Sequence, residues 1–324
     1  MSIPTSPTPS SGDESGVRVG FLGPPGTFTE QALLSQPDLA AARLVPYPTM
    51  DEVLRATESG EVDVGFVAIE NSIEGTVNVT SDVLTFDVDV LIQREVVLNV
   101  QQHLLAVPGS TLEDIREVVS IPHATAQVRD FLHASLPKVR TRAANSTAEA
   151  ARLVAEAGDR SVAAIGNDLA ADIYGLEVIA ADIEDHPENQ TRFVAVAPRN
   201  VPAPTGHDKT TIVAFQRADR PGSLLAILQE FAARRINLTR LESRPTKKAL
   251  GDYCFVLDFE GHIADDVVAD CLKGLRTKHG HVKFLGSYPA AGDRSDEVRR
   301  AADDAQAEAD DWIRSIRDRV RPDD

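Results

Sequence analysis

The chain has 324 residues, 42% of them hydrophobic, enough for two or three domains with a sizeable core. Its formal net charge of −17 excludes nucleic acid and anionic membrane surfaces as partners, since both need a basic face, but leaves room for a small anion held by local donors. Cys254 and Cys271 are the only cysteines, so no disulfide framework or paired metal spacing can be built, and a reducing cytoplasm fits.

No apolar run reaches the roughly 18 residues a membrane helix needs. Residues 1–16, rich in Ser, Pro and Thr, are expected to be a disordered tail. Residues 17–22 alternate as a first strand and run into Gly23-Pro24-Pro25-Gly26-Thr27. The glycines permit a tight bend, and Thr27 or Thr29 can cap the following helix. Strand, glycine turn and helix start together make an anion site of backbone N–H groups, although the spacing is neither a dinucleotide fingerprint nor a P-loop. A strand over 44–47 and a helix over 50–58, capped by Thr49, come next. A buried strand over 62–69 then ends in Glu70-Asn71-Ser72-Ile73-Glu74-Gly75-Thr76. Open α/β sheets place ligands beyond the C-terminal ends of such strands. Glu70, Asn71 and Ser72 are therefore site candidates, with ordinary turn chemistry as the alternative.

Residues 88–100 read as a crossover into a second α/β lobe. Its strands are predicted over 103–107, 118–120, 139–143 and 161–165, and its helices over 111–116, 123–134, 148–157 and 167–174. Ser120, Gln127, Asn145, Ser146 and Thr147 fall at strand ends or helix starts, where each taken singly reads as a cap. His103, His123 and His186 lack metal-ligand spacing and are assigned to solvent or packing. The run Glu188-Asn189-Gln190-Thr191-Arg192-Phe193 then sets a hydroxyl, a guanidinium and an aromatic ring where a loop enters a returning strand. Thr191 can donate one hydrogen bond and accept two, and Arg192 offers a fork of donors suited to a carboxylate. Two lobes joined by crossing strands enclose a cleft, the commonest place for a small-molecule site.

Residues 201–208 form a proline- and glycine-containing linker. Residues 209–290 follow a β-α-β-β-α-β order, which is ferredoxin-like, and carry no obvious nucleophile or acid/base pair. The charged stretch 291–324 places Val298, Ala302, Ala305, Ala309, Trp312 and Ile316 on one helical seam, expected to dock on its own or a neighbouring subunit.

Together these motifs resemble prephenate dehydratase followed by an ACT regulatory domain, over about residues 17–288. The resemblance rests on residues 23–32, on Glu70-Asn71-Ser72-Ile73-Glu74-Gly75, on Ser146-Thr147-Ala148 and on Asn189-Gln190-Thr191-Arg192-Phe193. In the second module it rests on Pro221-Gly222-Ser223-Leu224-Leu225 and Glu242-Ser243-Arg244-Pro245. It implies a two-lobed, type 2 periplasmic-binding-protein-like catalytic domain over 17–200. Lobe one would span 17–97 plus 190–200 and lobe two 98–189, followed by the ACT domain. The family converts prephenate to phenylpyruvate, water and carbon dioxide on the way to phenylalanine. Aromatisation of the ring supplies the driving force, so no cofactor is expected. With only a short stretch before the first strand, the form expected is monofunctional.

By the same resemblance, Thr191 hydrogen-bonds the leaving hydroxyl. Arg192, the Gly26-Thr27 turn and the Asn145-Ser146-Thr147 helix start take the carboxylates. Asn71, Ser72 and Gln127 orient the ring and pyruvyl arm, Phe193 packs against an apolar face, and Glu70 stands awkwardly beside a dianion. One motif departs from the family: Ser120-Ile121-Pro122-His123-Ala124 stands where relatives read Ser-His-Pro-Gln-Ala. In the ACT domain, L-phenylalanine would bind between paired modules of a dimer or tetramer. Gly222-Ser223-Leu224 would allow close approach, Asn237-Leu238 would line the other side, and Glu242-Ser243-Arg244-Pro245 would shape the pocket and couple it to the cleft. Arogenate as substrate, or a non-catalytic amino-acid sensor, are the rival readings.

Overall fold

A computed structural model describes residues 16–216, 220–247, 252–292 and 312–317. Lobe one contains β1 (Arg18–Leu22), α1 (Phe28–Leu34), α2 (Pro37–Ala40), β2 (Arg43–Tyr47), α3 (Met50–Ser59), β3 (Val64–Asn71), β4 (Gly75–Thr76), α4 (Asn78–Phe86) and β5 (Leu91–Asn99). Lobe two contains β6 (His103–Ala106), β7 (Glu117–Ser120), α5 (Pro122–Ala126), α6 (Arg129–Ser135), β8 (Arg140–Ala143), α7 (Thr147–Ala157), β9 (Val162–Gly166), α8 (Asp168–Tyr174) and β10 (Glu177–Ala180). The chain then returns to lobe one through β11 (Gln190–Ala197). The third unit is β12 (Asp208–Phe215), α9 (Ser223–Ala232), β13 (Leu238–Pro245), β14 (Tyr253–Glu260), α10 (Asp266–Lys278) and β15 (Val282–Pro289).

Helix starts follow the capping residues read from sequence. Thr27, Thr49 and Ser146 each accept the backbone N–H three residues on, those of Glu30, Glu52 and Glu149. The apolar run of β3 reads continuously because both its faces are buried. One face carries Val19, Phe21, Leu33, Phe66 and Phe193 in a core with α1 and α2. The other carries Val67, Ile69, Val194 and Val196, which pack on α3, α4 and the sheet of the third unit in a single cluster.

The lobe-one sheet runs β2-β1-β3-β11-β5, with β4 paired to β3. β1, β2 and β3 are parallel, and β11 is antiparallel to both its neighbours. Lobe two is a sheet of order β10-β6-β9-β7-β8, and the third unit one of order β13-β14-β12-β15. β11 places Thr191 opposite Asn71 and Arg192 opposite Glu70. Successive strand residues face opposite sides, so this register decides which of these neighbours can reach the cleft.

Several predicted elements differ in detail. The helix expected over 123–134 is two short helices, α5 and α6, because the Asp185 carboxylate takes the N–H groups of Arg129 and Asp130 and starts a new helix there. The helix expected over 111–116 is one 3-10 turn, Leu112–Asp114, closed by Thr111 and Asp114. Cys254 and Cys271 are buried and free, and burial pushes both thiols up to about 11. Val298, Ala302, Ala305 and Ala309 lie outside the described residues. Residues 312–317 are helical, but Trp312 stands 62% exposed, so no described part of this chain supplies its expected cover.

Candidate active site

The C-terminal end of β3 and the start of β11 bring Asn71 and Thr191 side by side. Asn71 Nδ2 donates to Thr191 Oγ1 at 2.9 Å and to Asn189 Oδ1 at 2.9 Å. Its Oδ1 accepts the backbone N–H groups of Ile73 and Glu74, both at 3.0 Å, so two main-chain donors hold the amide in one orientation. Ser72 Oγ accepts Gln190 N–H at 2.9 Å and pins the loop after β3 to β11. Asn189 Nδ2 reaches across to Gln127 Oε1 of lobe two at 3.3 Å. Gln127 Nε2 lies 2.7 Å from His123 Nε2, and His123 Nδ1 lies 3.2 Å from Glu74 Oε1, back in lobe one. A closed polar network therefore spans the cleft.

This network gathers Asn71, Ser72, Gln127 and Thr191 from the expected residues. It adds Asn189, Glu74 and His123, which sequence reasoning left without a site role. The sequence alone assigns His123 to solvent or packing, because nothing within its own segment reveals that Glu74 of the other lobe lies opposite.

The two predicted anion-binding turns also meet. A cavity of about 570 Å³ between the lobes is lined by the Gly23-Pro24-Pro25 turn and Thr27 on one side and by Asn145, Ser146 and Arg152 on the other. Gly26 has φ +90°, and a Cβ there would lie 3.2 Å from Ala170 Cα of lobe two, so the turn touches α8 closely. Tyr174 OH donates to Pro25 O at 2.8 Å across the same contact. Two of the expected donors are already used: Glu30 accepts the Gly26 N–H at 2.6 Å, and Glu149 accepts the Asn145 N–H at 2.7 Å. Gly26 therefore shapes the turn and its amide does not hold a substrate carboxylate. Arg152, a cation absent from the expected set, shares this cavity.

Five expected residues are placed otherwise. Arg192 turns its fork away from Thr191, onto the face covered by the third unit. Its Nε donates to Glu95 Oε2 at 2.6 Å, its Nη1 to Asp258 Oδ2 at 2.6 Å and its Nη2 to Tyr288 OH at 2.8 Å. Burial opposes its charge, but Tyr288, Asp258 and Glu95 more than offset that and hold the guanidinium ionised. The expectation that Arg192 grips a substrate carboxylate is therefore corrected. Glu70 shares that face, 3.4 Å from Arg192 Nη1, which removes it from the neighbourhood of a bound dianion. Phe193 is core, stacked on Phe66 with ring centroids 5.5 Å apart, and not a substrate contact. Ser120 is buried with its hydroxyl on Ile165 O at 3.1 Å, tying β7 to β9. Thr147 is buried at the first position of α7.

In the third unit, Gly222 (φ 86°), Ser223, Leu224, Ser243, Tyr253 and Phe255 line a cavity of about 420 Å³. Leu238 at the opposite end of β13 and Asn237 just before it lie about 17–20 Å from Ser243 at the usual rise of a strand. Glu242 and Arg244 alternate with Ser243 and face α4. Glu242 accepts from Ser81 at 3.3 Å, and Arg244 pairs with Asn78 and Asp82. From β15, the half-buried Lys283 donates to the carbonyls of Leu84 and Val88, both at 2.7 Å, at the far end of the same helix.

No group of three or more metal-ligating side chains occurs among the described residues, and no described helix is long and apolar enough to cross a membrane. A family model described as prephenate dehydratase matches residues 19–201, and one described as ACT domain matches residues 210–277. A prephenate dehydratase of Mycolicibacterium vanbaalenii is 41% identical over 314 residues, covering 93% of this chain and 98% of that protein. A crystal structure of the Arthrobacter aurescens prephenate dehydratase in complex with L-Phe superposes with a TM-score of 0.80 at 40% identity, covering 93% of this chain and 99% of that one. A structure described as GqqA, a quorum quenching acylase, superposes with a TM-score of 0.78 at 30% identity, covering 86% of this chain and 100% of that one.

Proposed function

The chain belongs to the prephenate dehydratase family, and from that premise we propose that it converts prephenate to phenylpyruvate, water and carbon dioxide, with L-phenylalanine as effector at its ACT domain. One observation carries the site assignment. The Thr191 oxygen accepts from Asn71, whose amide is held by two backbone donors, which leaves the Thr191 O–H for an acceptor in the cleft. A threonine hydroxyl is a very poor acid. Its role is a hydrogen bond to the departing ring hydroxyl, strengthening as negative charge develops there, with the final proton arriving through water.

Loss of carbon dioxide and water makes the ring aromatic, so the residues need only hold the dianion and assist the leaving group. The start of α7 with Ser146 and the Arg152 guanidinium, which also pairs with Glu156 at 2.7 Å, attract the carboxylates against the opposing charge of Glu149 in the same cavity wall. Gln127 orients the pyruvyl arm, Asn71 orients the Thr191 hydroxyl, and Asn189 keeps the two amides in register.

The effector pocket is the cavity at Gly222–Leu224 and Ser243. β13 is an edge strand, and Leu225, Leu241 and Tyr253 are exposed around it. Antiparallel pairing of two such edges would set Asn237 and Leu238 of the partner subunit beside Gly222, which reconciles residues lying at opposite ends of one strand. We place the protein in the cytoplasm as a dimer or tetramer built on this pairing.

Phenylpyruvate release from prephenate, followed by its absorbance, tests the reading. Thr191→Ser should keep most turnover and Thr191→Val should lose about a hundredfold or more, the scale of a removed charge-stabilising donor. Near-normal turnover in Thr191→Val removes the hydroxyl from the chemistry. No phenylpyruvate from the unmodified chain favours the sensor reading, and faster turnover on arogenate changes the substrate.

A further inference from the structure

The cross-cleft network has a direction, and its fixed end is known. Asn71 Oδ1 is committed to the amides of Ile73 and Glu74, so Asn71 Nδ2 must donate, and Asn189 Oδ1 accepts from it. Asn189 Nδ2 must then donate to Gln127 Oε1, which turns Gln127 Nε2 toward the imidazole 2.7 Å away. An –NH₂ group meets a ring nitrogen favourably only if that nitrogen is an acceptor. His123 Nε2 therefore carries no proton, and the ring hydrogen sits on Nδ1, pointing at Glu74 Oε1. Four side chains from two lobes are thereby consistent with one tautomer of one histidine.

We propose that neutral His123, in the Nδ1–H form, is a positioning residue that locks Gln127 and Asn189 in the orientation serving Thr191, and that its protonation releases this cross-lobe bridge. This inference rests on the dehydratase reading of the same site. A proton on Nε2 would set N–H against N–H at the Gln127 contact. Flipping the Gln127 amide only moves that conflict to Asn189 Nδ2, and Asn189 cannot follow because Asn71 is held by the backbone. The bridge between lobes therefore breaks between His123 and Asn189, while the Asn71–Thr191 bond persists. Loss of the bridge frees the Gln127 side chain that faces the substrate, so activity falls on acidification.

Glu74, from the loop after β3, is the charged group facing the ring, and its carboxylate accepts from Nδ1–H in either protonation state. On the lobe-two side, the Asp185 carboxylate is turned onto the amides of Arg129 and Asp130, and its own backbone N–H donates to Gln127 O at 2.7 Å.

The test combines a pH profile with a spectroscopic readout. Protonation of His123 breaks the bridge, so kcat/KM of the unmodified chain should carry an acid limb. His123→Gln can accept from Gln127 and donate to Glu74 at every pH. It should lack that limb and retain at least about ten times the kcat/KM of His123→Leu at pH 7.5, the scale of one mispositioned contact. Imidazole ¹⁵N shifts should report the Nδ1–H tautomer at pH 8. An acid limb unchanged in His123→Gln, or an Nε2–H tautomer, overturns the proposal while leaving the dehydratase reading intact. Absence of phenylpyruvate formation in every variant and in the unmodified chain defeats that reading instead, and the tautomer measurement still decides the inference.

Discussion

Replacing Arg192 by Gln should damage the fold and not substrate binding. Arg192 lies between Glu95 and Asp258, each only 1% exposed, and bonds both at 2.6 Å. Removing one partner of a buried pair costs about 3–5 kcal/mol, because the other charge stays buried and uncompensated. Glu95 keeps Lys209 Nζ and the Ala291 N–H, both at 2.7 Å. Asp258 keeps the Thr211 hydroxyl at 2.9 Å and Arg240 at 3.8 Å, so most of the loss falls on Asp258. Domain stabilities are about 5–15 kcal/mol in total, and at about 2–4 °C per kcal/mol the transition should fall by roughly 6–20 °C.

The loss has a pH signature. In the intact chain burial would raise the Asp258 carboxyl, but Arg192 and Arg240 hold it below its ordinary value. Its stabilisation is therefore present above the unfolded carboxylate value of about 4 and is lost as pH falls through the depressed one. Without Arg192 less opposes burial and the folded value rises, so less of that stabilisation remains above the unfolded value and the deficit of the variant widens toward neutral pH. Calorimetry at several pH values, with KM measured below the transition, checks both parts. A tenfold rise in KM with an unchanged transition would return Arg192 to the substrate and refute this reasoning.

Gly26→Ala introduces a Cβ at φ +90°, 3.2 Å from Ala170 Cα and 3.3 Å from Tyr174 Cε2. Strain of about 1–3 kcal/mol should appear in unfolding together with reduced turnover, since the contact joins the lobes; a variant of normal stability would show that the turn yields easily. Leu241→Glu places a charge on an exposed residue of the β13 edge. It should sediment as a smaller species and lose its response to phenylalanine while keeping basal turnover. An unchanged mass would move the subunit contact elsewhere.

Much of the architecture was legible because its causes are local. Thr27, Thr49 and Ser146 cap helices through an N–H three residues away, and strand alternation marks β13 within a single segment. Motif order pointed to the family and assigned Thr191 and Asn71 to one site, and only the structure sets them side by side. The break between α5 and α6 was not legible, because Asp185, which caps the second helix, lies 56 residues from Arg129.

Strand periodicity alone already says that Thr191 and Arg192 face opposite ways, but it does not say which side is the cleft. That depended on β11 entering between β3 and β5 and on the ACT sheet covering the Arg192 side. The pairing of His123 with Glu74 is of the same kind, joining residues from different lobes. Capping and alternation act over a few residues and are written in the chain. Contacts across the cleft exist only once the chain has doubled back, because there the separation in space no longer follows the separation in sequence.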